Sequence, residues 1–587
     1  MDEAARAWWK EATVYQVYPR SFADGDGDGV GDLSGLASRA DYLADLGVDV
    51  GWLTPVYESP MADNGYDVAD YRAVDDTFGS MADWRAVRDA LHERDIRLVM
   101  DFVPNHTSDE HAWFRASRAR EDGKADWYHW ADGVDADTVA YDAPDEGPSG
   151  EAPPNNWRSF FGGPAWTYDD ERGQWYLHLF DPKQPDLDWS VPAVRAAIHD
   201  ELRYWLDEGI DGFRLDVVNL LSKPDGYPSG DESEPFNGSL RLVPDGSRIH
   251  EYVSGMSEAV FAGHDLLTVG ECIGDLSVEE AARYVEPDGD GLSMVFHFGH
   301  VGIGRGDALW EREPWSLTDL KAVFDRWQNG LAGRGWNSLY FENHDQPRVV
   351  SRFGDDGDYR LESATCIATL LHTLCGTPYV YQGQELGQTN PTFESLAEFR
   401  DVETVRTVEE ALAAGEIESF DDVRDGLNAH SRDTSRTPMQ WTDGPNAGFT
   451  DPDAEPWIRL HEDYREVNVE AQRSDPDSVW HYYRRLIDLR AANDVLVYGA
   501  YENHTPEDEQ VWAYSRTLGD EAAAGAESDR AFVALNWGGE PARVEPPASL
   551  AGAAATLALS NRDGAPAPER VEPYTARPWE ARVYLLD

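Results

Sequence analysis

The chain has 587 residues, of which 41% are hydrophobic and 22 are tryptophan. This content supports two or three domains with hydrophobic cores and excludes a chain that is disordered throughout. The 111 acidic and 49 basic residues give a net charge of −62, and the lack of a basic stripe argues against a nucleic-acid partner.

The acidic residues are spread along the whole chain, so their mutual repulsion opposes a compact state in dilute buffer. At about 1 M salt the Debye length falls to roughly 3 Å, which screens most of that repulsion. We therefore expect a protein adapted to a cytoplasm of molar salt, as in an extreme halophile.

The sequence has neither a disulfide framework nor a membrane segment. The cysteines Cys272, Cys366 and Cys375 are too few and too scattered for disulfide or zinc frameworks. The start, MDEAARAWWK, has no apolar signal core, and no stretch approaches 18 uninterrupted apolar residues. We expect a cytoplasmic protein without a membrane partner, as a monomer or weak homo-oligomer.

Short apolar segments alternate with helical patterns along most of the chain. The strand candidates are 12–22, 49–60, 96–106, 210–219, 266–272, 292–298, 336–345 and 377–387. Helical patterns include 33–47, 81–94, 191–209, 362–376 and 478–494. Eight β–α repeats are typical of a (β/α)8 TIM barrel, which is an α/β fold.

Two segments interrupt this alternation, and the end of the chain has a different pattern. We expect a catalytic barrel from 1–106 and 181–494, with an inserted subdomain at 107–180 after strand 3 and an irregular insertion at about 388–470. Short strand patterns predict an all-β sandwich domain at 495–587. Within it, 521–527 and the Ala/Pro-rich 546–568 are expected to be loops.

The loop DGDGDGVGDLSG (24–35) follows the first strand and spaces its aspartates two residues apart. The pattern opens like an EF-hand loop, but that loop needs a bidentate Glu at its twelfth position, where this chain has Gly35. A calcium sensor is therefore disfavoured. A structural site for a hard cation and a solvated acidic turn both remain open.

Polar residues end several predicted barrel strands, at the face where active sites of this fold lie. Asp216, Glu271 and Asp345 end strands 4, 5 and 7. Two carboxylates that face one glycosidic bond can cleave it, one as the nucleophile and the other as acid and then base. Neighbouring carboxylates raise the pKa of the acid, and Arg214 can hold Asp216 ionised.

Four segments, DFVPNH (101–106), GFRLDVV (212–218), VGEC (269–272) and ENHDQ (342–346), resemble the short regions of the α-amylase family, glycoside hydrolase family 13. QPDLDW (184–189), SRTPMQW (435–441) and MADNGYDVADY (61–71) resemble its oligo-1,6-glucosidase and α-glucosidase branch. The similarity runs from about Trp9 to the end of the chain. It implies a retaining, exo-acting α-glucosidase whose substrate is a short oligosaccharide.

The resemblance also implies a role for each candidate residue. Asp216 would be the nucleophile, Glu271 the acid/base, and Asp345 the residue that holds sugar hydroxyls in the transition state. The others would surround one non-reducing glucose: Arg214 beside Asp216, His106 and His344 on its hydroxyls, Tyr66 as stacking platform, Asp63 and Arg436 at the closed end, and Phe161, Phe180 and Gln184 at further pocket positions.

The resemblance implies a metal as well, because related α-glucosidases hold one Ca²⁺ or Mg²⁺ in the loop after strand 1. The implied ligands are Asp24, Asp26, Asp28, the Val30 carbonyl and Asp32. Both ions prefer oxygen ligands, so ligand type does not choose between them.

The residue directly after the nucleophile indicates which type of glycosidic linkage is cleaved. In this branch, valine directly after the nucleophile accompanies α-1,6 cleavage and threonine accompanies α-1,4 cleavage, and this chain has Val217. An α-1,4-preferring maltase type and a sucrose isomerase or glucosyl transferase are the alternatives. VVSRFGDD (349–356) lacks the paired arginines of the isomerases, which favours hydrolysis. Non-enzymatic transporter partners are disfavoured because they lose the carboxylates that this chain retains.

Overall fold

A computed structural model describes residues 6–141, 147–285, 291–519, 526, 528–565 and 569–586. Eight short parallel strands form its central sheet. We number them as barrel strands 1 to 8: Val14–Val17, Val50–Leu53, Arg97–Phe102, Gly212–Leu215, Leu267–Cys272, Met294–His297, Ser338–Leu339 and Thr377–Tyr381. Each lies within one of the predicted segments.

The strands are arranged as a barrel. Their order in the sheet is 6-5-4-3-2-1-8-7, and a parallel bridge between Val295 and Asn337 joins strand 6 to the residue before strand 7. The interior is filled by large side chains such as Trp52, Phe296 and Tyr379, which belong to one buried cluster. The predicted (β/α)8 barrel is confirmed.

Helices surround the strands. Their bounds are Trp8–Glu11, Leu33–Ser38, Ala40–Leu46, Met81–His92, Ala112–Ala119, Pro192–Asp207, Ser239–Leu242, Ile249–Met256, Val278–Val285, Leu317–Gly330, Val349–Phe353, Arg360–Thr373, Val402–Ala414, Arg424–His430, Val469–Ser474, Val479–Ala491 and Asp494–Tyr498. The pattern at 33–47 forms two helices instead of one, because the backbone leaves helical geometry at Arg39. Its guanidinium lies 4.2 Å from the Trp441 ring centroid. Among the described residues, no helix is both long and apolar enough to cross a bilayer.

The segment after barrel strand 3 has a small sheet of its own. Trp130–Ala131, Gln174–Leu177 and Trp166–Asp169 form three antiparallel strands. Trp166 and Trp175 share a buried cluster with Val217 and Leu220, which follow barrel strand 4. The inserted segment thus packs against the turn that carries Asp216.

The C-terminal residues form all-β structure. Five antiparallel strands, Ala500–Asn503, Val511–Thr517, Arg530–Asn536, Ala555–Ser560 and Ala581–Leu586, make one sheet, and Ala542–Val544 pairs with Tyr574–Ala576. The prediction of a loop throughout 546–568 was wrong, because Ala555–Ser560 pairs with Ala581–Leu586 through an irregularity near Leu557. Residues 521–525, 527 and 566–568 of the predicted loops lie outside the described residues.

Candidate active site

The three predicted catalytic carboxylates lie at the C-terminal ends of barrel strands. Asp216 follows strand 4, and its N–H donates to the Phe102 carbonyl at the end of strand 3 (2.9 Å). Val217 then has φ +36° and ψ +45°, a left-handed conformation that a β-branched residue rarely adopts. This turn aims the Val217 N–H at Oε2 of Glu271, 3.3 Å away. The backbone after the candidate nucleophile therefore contacts the candidate acid/base.

One guanidinium holds both of these carboxylates. Nη1 of Arg214 lies 2.7 Å from Oδ1 of Asp216, and Nη2 lies 2.6 Å from Oε2 of Glu271. Nη1 also contacts Oδ1 of Asp101 at 2.8 Å. Arg214 is 1% exposed, so these contacts form away from water, where charge-assisted hydrogen bonds are strong. The two reacting carboxylates are fixed relative to each other by one rigid group.

Three carboxylates around one guanidinium favour retention of a proton within the cluster. Burial, together with the neighbouring charges of Glu271 and Asp101, raises the pKa of Asp216 well above its ordinary value, although Arg214 opposes this. Burial likewise raises the pKa of Asp101 to about 6 against the effect of Arg214. The opposing effect of Arg214 favours the ionised form of Asp216, which is the form that attacks the anomeric carbon.

Tyr66 and His344 form a stacked pair beneath the pocket. Their rings are 5.3 Å apart and nearly parallel, with an interplanar angle of 2°. The Gln16 amide nitrogen lies 2.8 Å from Nδ1 of His344; because the amide nitrogen is a donor, Nδ1 accepts and the ring proton is on Nε2. That nitrogen faces the Tyr66 hydroxyl at 2.7 Å and Oδ2 of Asp345 at 3.0 Å.

Asp345 is held ionised by its neighbours. Burial alone would raise its pKa, but His344, Arg432 and Arg436 together hold the pKa well below its usual range. Nη2 of Arg436 lies 2.8 Å from Oδ1 of Asp345, and its Nε donates to the His344 carbonyl at 2.8 Å.

The closed end of the pocket is built around Asp63. Oδ1 of Asp63 lies 3.3 Å from Nη2 of Arg432, and Oδ2 accepts from the Gln184 amide at 3.1 Å. The same amide nitrogen lies 3.2 Å from Nε2 of His106. Burial raises the pKa of Asp63 to about 7, while Arg432 and Arg436 act in the opposite direction.

Arg432 is the functional residue that sequence reasoning missed. The prediction placed Arg436 beside Asp63, but it is Arg432, four residues earlier, that pairs with Asp63 and also contacts Asp345 at 3.3 Å. Arg432 also lies 4.6 Å from the Phe161 ring centroid. The available signal was the arginine pair in SRDTSRTPMQW (431–441).

These residues enclose a cavity of about 610 Å³. Nine of the twelve predicted catalytic and substrate residues line it, including Phe161 and Phe180. The other three, Arg214, His344 and Arg436, lie behind it, and each contacts Asp216 or Asp345. The structure thus brings all twelve predicted residues together: nine line the cavity, and three lie behind it and contact the lining carboxylates.

A buried lysine supports the His106 side of the pocket. Nζ of Lys223 contacts Oδ2 of Asp186 (2.7 Å), Oδ1 of Asn105 (2.6 Å) and the Leu220 carbonyl (2.7 Å). Asn105 in turn lies against Nδ1 of His106 at 3.2 Å. Three oxygens thus satisfy the three donors of the ammonium.

In the acidic loop, Asp24, Asp26 and Asp28 each offer a carboxylate oxygen, and these atoms lie within 4.8 Å of one another. They are the only group of three or more candidate metal ligands among the described residues. Asp32 is outside this group. Its carboxylate caps the helix Leu33–Ser38 by accepting from Gly35 N (2.6 Å), and it accepts from Gly25 N (3.0 Å). Val30 donates its N–H to Asp28 at 2.8 Å.

A barrel with two buried carboxylates facing one pocket, and a third held ionised beside them, defines a glycoside hydrolase. The alpha-amylase catalytic-domain model matches residues 16–499, so this chain belongs to the α-amylase family. The three retained carboxylates disfavour the alternative of a non-enzymatic protein of this fold.

The chain is similar over its full length to several known proteins. It is 45% identical to an oligo-1,6-glucosidase of Parageobacillus thermoglucosidasius, covering 99% of each chain. Isomaltulose synthase from Klebsiella sp. LX3 superposes with a TM-score of 0.91 at 37% identity, covering 99% of this chain and 100% of that one. Bacillus licheniformis trehalose-6-phosphate hydrolase superposes with a TM-score of 0.88 at 40% identity and the same coverage.

Proposed function

We propose that this enzyme releases single glucose units from the non-reducing end of short α-linked oligosaccharides, with a preference for α-1,6 linkages. The observation that carries the exo-acting part is the Arg432–Asp63 ion pair of 3.3 Å in the lining of the cavity, and we infer that this pair closes one end of it. A closed end leaves room for a terminal sugar and none for a chain that continues past it.

The reaction follows from the positions of the carboxylates. Asp216 attacks the anomeric carbon, and Glu271 protonates the oxygen of the leaving sugar as the glycosidic bond breaks. Glu271 then takes a proton from water, which attacks the glycosyl ester and frees Asp216. Arg214 fixes the two carboxylates relative to each other: its Nη1 contacts Asp216 at 2.7 Å, and its Nη2 contacts Glu271 at 2.6 Å.

The linkage preference is supported by Val217 and by similarity to oligo-1,6-glucosidases. Val217 is 4% exposed and lines the cavity directly after Asp216. A single side-chain change of this kind is worth only about 1–3 kcal/mol of discrimination. The preference should therefore be measurable without being absolute.

The deciding experiment compares kcat/KM for isomaltose and maltose at high salt, for the wild type and Val217→Thr. We expect isomaltose to be the better substrate, and the ratio to move towards maltose in the variant. A wild type that is faster on maltose would refute the α-1,6 preference.

Asp216→Asn should abolish turnover of 4-nitrophenyl α-glucoside in the same assay.

The isomerase alternative is tested with sucrose. The similarity to isomaltulose synthase makes this reaction worth measuring. A hydrolase releases equal amounts of glucose and fructose, whereas an isomerase returns an isomeric disaccharide. Product analysis by chromatography therefore distinguishes the two activities directly.

We also propose that the acidic loop holds one Ca²⁺ or Mg²⁺ that stabilises it. Three carboxylate oxygens within 4.8 Å of one another offer the hard ligands that both ions prefer. Asp24, Asp26 and Asp28 would be the side-chain ligands. Asp32 would act beside them by holding the loop backbone through Gly25 N and Asp26 N.

Chelation tests this proposal. We expect EDTA to lower the melting temperature of the wild type, and Ca²⁺ or Mg²⁺ to restore it, because the ion offsets the repulsion between the three carboxylates. The variant Asp28→Asn should respond less than the wild type. Asp41→Asn, at an exposed aspartate in the helix Ala40–Leu46, is the matched control. A melting temperature that chelator leaves unchanged would refute the ion.

A further inference from the structure

The Gln184 side chain enters the wall of the cavity from a turn at 181–184. Its amide nitrogen lies 3.1 Å from Oδ2 of Asp63 and 3.2 Å from Nε2 of His106, and its amide oxygen accepts from the Asp181 N–H at 3.0 Å. That N–H fixes which end of the amide faces the cavity, because a reversed amide would place its NH2 group against the N–H, donor to donor.

The Asp181 carboxylate stabilises the same turn. Oδ1 accepts from the Lys183 N–H at 2.8 Å, whereas Oδ2 lies 2.5 Å from Nη2 of Arg406. The Asp181 side chain is 7% exposed, so salt screens this ion pair less than a pair at the surface. The conformation of the turn therefore depends on a residue that lies 225 positions later in the chain.

The turn also positions Phe180, the residue directly before Asp181. The Phe180 ring lines the cavity, and its centroid lies 5.2 Å from that of the His106 ring and 5.3 Å from that of the Phe161 ring. A shift of the turn would therefore move an aromatic side chain and the Gln184 amide of the pocket wall together.

Arg406 lies on a helix whose first turn is itself fixed to the pocket. The helix Val402–Ala414 is capped by the carboxylate of Asp401, which lies 2.5 Å from Nη2 of Arg432. Arg432 in turn pairs with Asp63 at 3.3 Å. This helix thus holds Asp63 in two ways, directly through Arg432 and indirectly through the turn that Arg406 contacts.

We propose that Arg406 is a positioning residue for the part of the pocket where the non-reducing glucose would bind. Neither Arg406 nor Asp181 lines the cavity, so Arg406 acts through the Asp181 carboxylate on the Gln184 amide and the Phe180 ring. This rests on the proposed glucosidase function and names a further residue that determines how tightly the substrate is held. Without the guanidinium, Oδ2 of Asp181 would lose its charged partner, and the turn would no longer be held against the pocket.

The test compares Arg406→Ala with Arg118→Ala, which breaks a matched ion pair. Nε of Arg118 lies 2.8 Å from Oδ2 of Asp169, and these side chains are 28% and 9% exposed, against 28% and 7% for Arg406 and Asp181. Neither residue of the control pair lines the cavity. The quantities measured at high salt are KM and kcat for 4-nitrophenyl α-glucoside, and the inhibition constant of 1-deoxynojirimycin, which has the size of one glucose.

Arg406→Ala should raise KM and the inhibition constant by about tenfold each, since a hydrogen bond between charged groups is worth about this much. We expect a much smaller change in kcat, because a displaced pocket wall weakens the binding of substrate and transition state alike. Arg118→Ala should change none of these constants. Arg406→Lys should restore most of the affinity, because one ammonium N–H can make the single contact that Nη2 makes.

A second variant tests the contact from its other partner and does not depend on the folding of Arg406→Ala. Asp181→Asn keeps an oxygen for the Lys183 N–H but removes the charge that pairs with Arg406. It should raise the inhibition constant by a similar factor. The double variant should lose little more than either single variant, because both substitutions break one interaction.

Three outcomes would overturn the inference: an inhibition constant that Arg406→Ala leaves unchanged, the same loss of affinity in Arg118→Ala, or losses that are fully additive in the double variant. A lower melting temperature in both alanine variants, without a change in the inhibition constant, would show that the Arg406 pair contributes only stability. Failure of the proposed function is distinct, because the wild type itself would then not hydrolyse 4-nitrophenyl α-glucoside.

Discussion

Arg432 and Asp63 form an ion pair of 3.3 Å across the closed end of the pocket, although 369 residues separate them in the chain. Arg432 belongs to the insertion after barrel strand 8, and Asp63 to the segment after strand 2. The pair therefore exists only when the insertion is docked on the barrel. Arg432 also contacts Asp345 and Asp401, so it links the substrate pocket to the interior of the insertion.

Replacing Arg432 should damage the enzyme more than the loss of one contact suggests. Arg432→Gln leaves Asp63, Asp345 and Asp401 with less counter-charge, and breaking a buried pair typically costs about 3–5 kcal/mol. We expect KM for 4-nitrophenyl α-glucoside to rise and kcat/KM to fall by about 100-fold or more, with a lower melting temperature. Arg424→Gln, at an exposed arginine of the same insertion, is the control and should change neither quantity.

The acid role of Glu271 predicts a dependence on the leaving group. Nitrophenolate departs with little protonation, whereas the sugar released from isomaltose needs a proton from the acid. Glu271→Gln should therefore lose more activity on isomaltose than on 4-nitrophenyl α-glucoside. The measurement is kcat/KM for both substrates in the wild type and the variant, because this quantity reports the step in which the leaving group departs. Equal losses on the two would contradict the assignment.

A buried lysine joins the barrel to the C-terminal sheet. Lys321, on the helix Leu317–Gly330, is 0% exposed and donates to the backbone carbonyls of Thr505, Asp508 and Val511 at 2.6, 2.5 and 2.6 Å. Lys321→Met removes all three donors and leaves buried acceptors without partners, at about 1–3 kcal/mol each. We expect a clear drop in melting temperature while the Michaelis constant of the folded enzyme is retained.

The control for this variant is Lys124→Met. Lys124 lies 4.5 Å from the Trp127 ring centroid and is only partly buried. Its replacement should cost much less stability. Similar melting temperatures for the two variants would show that the Lys321 contacts contribute little to stability.

The net charge of −62 predicts a strong response to salt. We propose that the enzyme works in a cytoplasm of molar salt, where the self-repulsion of the folded state is screened over roughly 3 Å at about 1 M. Melting temperature and activity should both rise as KCl is increased from millimolar to molar concentrations. Full activity and stability in dilute buffer would contradict this.

Much of the fold could be predicted because each barrel strand is a short apolar run that ends in polar residues. The segment 210–219 contains strand Gly212–Leu215 and places Asp216 at its end. By contrast, Ala555–Ser560 is part of a stretch rich in alanine and proline, so its strand character depends on pairing with Ala581–Leu586, which local sequence does not reveal.

The site could be predicted where a motif fixes both residue and position, as at Asp216, Glu271 and Asp345. It could not be resolved between Arg432 and Arg436, because Arg432 lies three residues before the motif SRTPMQW (435–441) and only the docked insertion brings it to Asp63. Asp24 and Asp32 belong to the same acidic loop in sequence, although Asp32 lies four residues after Asp28 and the other aspartates lie two apart. Only the structure shows that Asp24 belongs to the group of candidate metal ligands and that Asp32 caps the helix Leu33–Ser38.

The acidic loop at 24–35 is hydrogen-bonded to residues that are synthesised much later than the loop itself. Asp24 is hydrogen-bonded to Thr450, 426 residues later, and Gly29 accepts from Trp457 N at 2.9 Å. At about 5–20 residues per second the loop would wait roughly 20 to 85 seconds for these partners. The wall of the pocket around Asp63 needs the same insertion, so a nascent chain cannot complete the pocket before Arg432 has been made.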